Sequence, residues 1–412
     1  MWSLRSRPSD DHFKPVRRDA IVFLVSLVTL CVLSVGMARK LPPIKDKVTI
    51  SAAKPVTAEQ AARAAIPAAG TPVPATPTAP PIARVARPWQ QGQPELGVNV
   101  YWAANPDESQ QTIATKVANV LNYVVSLGAN SVSVSFPFVT TGISSNELRA
   151  DPGSTPSIAD LSLILTEAKA AGLHVSLRPI LNEDILVQEN ANAWRGSISP
   201  SNVALWFQNY TRFLTPYVQL AQSTGTNAFY VSTELTSMEA YSTQWAMLVT
   251  HLDTLYSGTL SASVNYNRLT ATNQRIPGTE LGVDAYFPLT TLDNGATVQQ
   301  IAAGWNQWLN GYSTGQLSDL EISEAGIVPY DGAYHAPFAL NPNGIFNENI
   351  QTSWYEAACQ VAQTRGVAGL YWWYLNLDSM GSVHDPRVND PMSFYDTSTA
   401  QVVKNCFASY PR

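Results

Sequence analysis

From Trp89 onward, short apolar runs alternate with longer stretches whose apolar residues recur every three or four positions. Glu95–Trp102 (ELGVNVYW), Ser131–Val139 (SVSVSFPFV), His174–Leu181 (HVSLRPIL), the run from Ala228 (AFYVSTE), Thr259–Asn265, Leu281–Leu289 (LGVDAYFPL), Leu320–Ile327 (LEISEAGI) and Val367–Leu375 (VAGLYWWYL) read as strands. Between them, Ile113, Val117, Val120, Leu121 and Val124 mark a helix stopped by Gly128, and Ile158–Ala171 a helix ended by Gly172. Ser199-Pro200 reads as the opening of a long helix, a cap followed by proline in the first turn. Val203, Trp206, Phe207, Tyr210, Phe213 and Leu214 give that helix one apolar face, and Pro216 is expected to kink it. Helices around Trp245–Leu255, Val298–Leu309, Asn349–Arg365 and Thr399–Ser409 complete the pattern.

Eight strands alternating with about eight helices favour a parallel α/β sheet, and eight repeats favour its closure into a (β/α)8 TIM barrel over residues 89–412. A doubly wound open sheet is the alternative. It commonly carries a Gly-rich turn after its first strand, where this chain has Ala103-Ala104-Asn105-Pro106.

The first 88 residues follow other patterns. Residues 1–19 are polar and basic, with Arg5, Arg7, Lys14, Arg17 and Arg18. Ala20–Met37 is uncharged and apolar, the length of one membrane span, so a transmembrane signal-anchor is expected at residues 20–38 with the basic terminus in the cytoplasm. A cleaved signal peptide competes, but Arg39-Lys40 follows Ala38 directly, a poor cleavage site. Residues 39–88 are rich in Ala, Pro and Thr without apolar periodicity, the composition of a disordered spacer. The main domain is therefore expected outside the cytoplasm, tethered to the membrane, or secreted if the anchor is cut. Cys31 lies in the apolar run. Cys359 and Cys406 are either one disulfide of an exported domain or two buried thiols.

Composition narrows the partners. Charged residues are only 14% of the chain and the net charge is −6, which argues against nucleic acid. Eleven Trp and 17 Tyr suit stacking on sugar rings, although a large barrel also buries many aromatics. No HExxH, GxxxxGK[ST] or GxSxG pattern occurs, so zinc, phosphate-loop and esterase chemistries lose ground and no cofactor or metal is expected.

Barrel active sites lie at the C-terminal strand ends. There the chain offers Asn99, Tyr101 and Trp102 after strand one, and Arg178, Asn182 and Glu183 after strand three. Glu234 follows strand four, Asn265 strand five, Asp284 and Tyr286 strand six, Glu324 strand seven, and Trp372, Trp373 and Asn376 strand eight. An ionisable Glu ending an apolar run, as in FYVSTE and LEISEA, is costly without a partner or a task. Two such carboxylates are what glycoside hydrolysis requires: one protonates the leaving oxygen and the other attacks the sugar or activates water. The structural alternatives are a Glu234–Arg178 pair across the barrel and Arg178 or Tyr286 merely orienting a carboxylate. Glu321 rivals Glu324, and period-two alternation would set them on opposite faces. Trp372 and Trp373 would likewise divide between core and platform. His174, at a strand's start, reads as structural, and Glu183 and Asp184 as loop residues facing substrate or solvent.

Several ordered blocks resemble glycoside hydrolase family 113: Trp194-Arg195-Gly196, Trp206-Phe207 with Tyr210, STEL at Ser232–Leu235, GVDAYFPL at Gly282–Leu289, and SEAG at Ser323–Gly326. That last block is closer to TEIG in the family. The resemblance covers nearly all of residues 89–412. It implies a clan A retaining hydrolase of the β-mannanase kind, acting on β-1,4-mannan or glucomannan, with Glu234 as acid/base and Glu324 as nucleophile. Asn265, Asp284, Tyr286 and Trp373 fall at sugar-contacting positions. Two alternatives stand beside it: a non-catalytic glycan-binding envelope protein, and a hydrolase or transglycosylase acting on β-glucan or exopolysaccharide.

Overall fold

Serine and small or branched apolar residues alternate along the strands, and this alternation shapes the fold of the computed structural model, which describes residues 79–271, 275–339, 344–380, 384–387 and 390–410. In strand β2 (Ser131–Thr140), Val132, Val134, Phe136 and Phe138 are buried in the hydrophobic core, while Ser135 reaches Asn99 across the sheet. Strands β1 (Glu95–Tyr101), β4 (His174–Leu181), β5 (Ala228–Thr233), β6 (Thr259–Asn265), β7 (Glu280–Asp284), β8 (Leu320–Ala325) and β9 (Gly369–Asn376) join β2 in parallel pairing. β1 pairs with both β2 and β9, so these eight strands close on themselves. The two-residue β3 (Leu148–Arg149) adds antiparallel to β2. The expected (β/α)8 barrel is what the chain forms.

Helices α1 (Gln110–Ser126), α2 (Ile158–Ala170), α3 (Asp184–Glu189), α4 (Val203–Thr224), α5 (Ser242–Asp253), α6 (Val298–Asn310), α7 (Glu348–Arg365) and α8 (Ser398–Ser409) connect or follow the strands. Most bounds agree with the sequence pattern to within a few residues, and three differ instructively. The long helix α4 starts at Val203, because the side chain of Asn202, not Ser199, accepts the Leu205 N–H, and it runs on through Pro216. Strand β7 ends at Asp284, so Ala285–Leu289 of the apolar run is loop. No α-helix separates β6 from β7 among the described residues; a 3-10 turn at Tyr266–Arg268 follows β6 directly.

The barrel also starts earlier than its Trp89 boundary. Val85 N–H donates to Ala171 O at 2.9 Å, Asn122 holds Ala83 N–H and Pro81 O, and Ile82 and Val85 pack on the core. Cys359 of α7 and Cys406 of α8 form a disulfide, which settles the choice left open by the sequence. The expected span at 20–38, the terminus before it and the spacer as far as residue 78 lie outside the described residues. Among the described residues no helix is long and apolar enough to cross a membrane.

Candidate active site

Beneath the C-terminal strand ends the barrel interior is polar, and its centre is Arg178. Its side chain is fully buried. Nη2 donates to Asp284 Oδ1 and Oδ2 (2.8 and 2.7 Å) and to Ser263 Oγ (2.8 Å), Nε donates to Thr233 Oγ1 (3.2 Å), and Nη1 to Ser323 O (3.3 Å). Asp284 also accepts from Ser323 Oγ at 2.8 Å. The Arg178 guanidinium lies 5.0 Å from the Tyr230 ring centroid. Burial alone would lower its pKa, but Asp284 and Glu324 more than reverse this, so the cation persists.

Glu324 ends β8 above this cluster. Its Oε1 is 2.9 Å from Arg178 Nη2, an ion-pair contact without hydrogen-bond geometry, and its Oε2 accepts from the Tyr286 hydroxyl at 2.7 Å. The Glu234 side chain follows β5 and is equally buried. Asn265 Nδ2 donates to its Oε1 at 2.7 Å, and Arg195 Nη1 to its Oε2 at 3.0 Å. The Glu234 backbone stands at φ +54°, a left-handed conformation that costs a non-glycine residue about 1–3 kcal/mol and collects at functional sites. Burial first, and Asp284 next, push both carboxyls above the usual carboxylate range. Arg195 and Asn265 draw Glu234 back, as Arg178 and the Tyr286 hydroxyl do Glu324.

Both glutamates line one cleft of about 510 Å³, together with Glu183, Trp194, Arg195, Asn265, Tyr266, Asn267, Tyr286, Phe338, Trp373 and Met392. Of the residues singled out in the sequence, Glu234, Glu324, Asn265, Tyr286, Trp373 and Glu183 meet there. The others lie elsewhere. Arg178, Asp284 and Asn99 are fully buried below the floor, with Asn99 Nδ2 donating to Ser323 O at 2.9 Å. Trp102 is buried in the core, and Trp372 stacks on Tyr355 of α7 with ring centroids 4.4 Å apart. These five, expected to touch sugar, are thus buried in supporting or core positions and do not line the cleft. Tyr101 stands behind Trp373, 6.0 Å between ring centroids. Asn182 Oδ1 accepts from the Asp184 N–H, and Asn376 donates to Asp390. The expected alternative of a Glu234–Arg178 pair is not formed: Arg195 takes that place.

Glu321 does not compete for the cleft. It lies towards the opposite pole, where the Tyr230 hydroxyl donates to it. Strict alternation fails between it and Glu324, since the β8–β9 register shifts between Ile322 and Ala325. Sequence reading missed Tyr266, Asn267, Phe338 and Met392, and gave Trp194 and Arg195 no role. The polar run NYN after β6 was a usable signal for the first two. Phe338 and Met392 come from long loops that no local pattern ties to the cleft.

A closed parallel barrel with two buried glutamates lining one cleft at its strand ends is an architecture suited to glycoside hydrolysis. The comparisons name the family: the profile of Glycoside Hydrolase Family 113 matches residues 102–396, and the chain belongs to that family. No curated protein matches the sequence. Similar solved structures include a GH113 β-1,4-mannanase, 17% identical, TM-score 0.62, over 77% of this chain and 99% of that one. Another is the GH113 β-mannanase AaManA from Alicyclobacillus acidocaldarius in complex with ManMIm, 18% identical, TM-score 0.60, over 77% and 98%. At these identities the likeness speaks for the shared fold.

Proposed function

We propose that this glycoside hydrolase cleaves a neutral β-linked polysaccharide, β-1,4-mannan or glucomannan, with retention of configuration, Glu324 acting as nucleophile and Glu234 as acid/base. The observation carrying the reading is that Glu234 and Glu324 line the same cleft, each beside a different guanidinium. The buried Arg178 and the Tyr286 hydroxyl favour ionised Glu324, which attacks the anomeric carbon. Glu234 gives its proton to the departing oxygen, leaving a glycosyl ester on Glu324. Water then surrenders a proton to Glu234 and attacks the same carbon, releasing the sugar and restoring both groups.

The substrate class rests on the lining. Arg195 is the cation among the described cleft residues, and two glutamates already claim it, which leaves little to attract a uronate. Trp194, Tyr266, Phe338 and Trp373 supply flat apolar surface for sugar faces. The similar solved structures are described as β-1,4-mannanases, which supports mannan first. We place the domain outside the cytoplasm, tethered through residues 20–38. The apolar run behind a basic terminus and the Cys359–Cys406 disulfide support that placement. Protease accessibility on intact cells tests it.

The deciding experiment incubates the full chain with mannan, glucomannan, β-glucan and xylan, and follows reducing ends and the anomer first released. Mannan-type products appearing first as the β-anomer are expected. Tight glycan binding without new reducing ends would make it a binding protein. Products from β-glucan alone would correct the substrate, and an α-anomer would overturn retention.

A further inference from the structure

The acid/base reading of Glu234, on which this inference rests, leaves its ion pair with Arg195 without a task. Arg195 opens a 3-10 turn, Arg195–Ser197, whose shape is set by short contacts. Trp194 N–H donates to Ser197 Oγ at 2.9 Å and Ser197 N–H donates to Trp194 O at 2.9 Å. A side chain at Gly196 would displace the Trp194 ring, since a Cβ would stand 2.3 Å from it. The turn thus presents Arg195 to the cleft from fixed backbone, with its side chain about one-fifth exposed (20%).

Its guanidinium then stands between two carboxylates. Nη1 donates to Glu234 Oε2 at 3.0 Å, and Nε lies 3.0 Å from Glu183 Oε1, a charge contact without hydrogen-bond geometry. The same Glu183 oxygen accepts the Arg195 backbone N–H at 3.1 Å. Asn265 holds the other Glu234 oxygen. Both Glu234 oxygens therefore accept from donors, an arrangement complete for the ionised carboxylate. Protonation of Glu234 leaves both oxygens able to accept but removes the charge that strengthens the Arg195 contact, while Glu183 still offers the guanidinium a full charge. Asn265 has no second anion within its contacts, whereas Arg195 has Glu183.

We propose that Arg195 is the positioning residue of the acid/base, exchanging between Glu234 and Glu183 as the Glu234 proton comes and goes. In the glycosyl-enzyme, Arg195 orients ionised Glu234 to take a proton from water. When that proton is in place for the next bond cleavage, the guanidinium turns to Glu183. The proton given to the leaving oxygen is the one taken from water, so the cycle balances. Other groups also face Glu234: Tyr266 after β6, Asp284 and Tyr286 at and after the end of β7, Glu324 on β8 and Arg178 on β4. None of these belongs to the turn, and the three variants at Arg195 and Glu183 below leave them unchanged.

The test is the pH dependence of kcat/KM in the full chain. Arg195→Met removes the cation beside Glu234, so the alkaline limb should move up by about one unit. Glu183→Gln leaves Arg195 with Glu234 alone, so the same limb should move down. Arg195→Lys keeps the charge and should hold the limb within a few tenths of a unit while lowering kcat. A merely structural role would move stability or KM without opposite displacement of the limb. Limbs that stay put, or that move together, in variants melting like wild type overturn the proposal; if Arg195→Met does not fold, Glu183→Gln and Arg195→Lys decide. Glu234→Ala separates the two layers. With an aryl β-glycoside bearing a good leaving group, azide should restore turnover. Absence of rescue overturns the acid/base assignment and this inference with it, whereas rescue with unmoved limbs overturns the Arg195 role alone.

Discussion

Glu234 and Glu324 are each held by a guanidinium, but the two pairs differ in surroundings. Arg178 is sealed from water and shared among Asp284, Glu324 and the strand serines, so it is part of the fold as much as of the site. Arg178→Met would leave two buried carboxylates without their cation. The expected loss is about 3–5 kcal/mol, read from urea unfolding. Glu324→Gln and Glu234→Gln should each lower kcat/KM by roughly a thousandfold or more with melting temperatures close to wild type. Tyr286→Phe removes the hydroxyl donor to Glu324 and should cost about tenfold in kcat. The pH sign follows from the same contacts: burial and Asp284 oppose ionisation of both glutamates. With the proposed roles, activity should rise as Glu324 ionises and fall as Glu234 loses its proton, and burial and Asp284 place both limbs above the ordinary carboxylate pKa of about 4.3, measured from the kcat/KM profile.

At the scale of elements, the apolar face of α4 was legible because Trp206, Phe207, Tyr210, Phe213 and Leu214 recur at helical spacing, and all five are buried. Trp206 packs against Tyr210 and Trp245 with ring centroids 4.7 and 6.5 Å apart. Trp206→Ala should cost about 3–5 kcal/mol in urea unfolding. The helix start was misread because Ser199-Pro200 carries the same cap chemistry as Asn202, and only the hydrogen bond to Leu205 distinguishes them. The role of Arg195 in the Trp194–Ser197 turn was beyond local pattern, since it pairs with a glutamate 39 residues on. Gly196→Ala should push the Trp194 ring off the turn and raise KM several-fold while the fold persists, checked by kinetics beside a thermal melt.

At the scale of the whole molecule, closure of the barrel brings β5 and β8 to one cleft and joins chain segments far apart in sequence. The disulfide acts at this scale too, tying α7 to α8 across 47 residues. Chain-entropy reasoning gives it a stabilisation of about 4 kcal/mol, so reduction should lower the melting temperature markedly, read by a thermal scan with and without reductant.

The order of strands and helices, the closed barrel and the two glutamates could be read from sequence alone. Periodicity records burial residue by residue, and a carboxylate at the end of an apolar run stands out locally. Tertiary structure decided the rest: that Arg178 lies under the floor and Arg195 at the cleft, that Trp372 and Trp102 are core, and that Glu321 belongs to the other pole. The cleft's final form depends on register shifts, the left-handed Glu234 and contacts between distant loops, which a one-dimensional pattern does not encode.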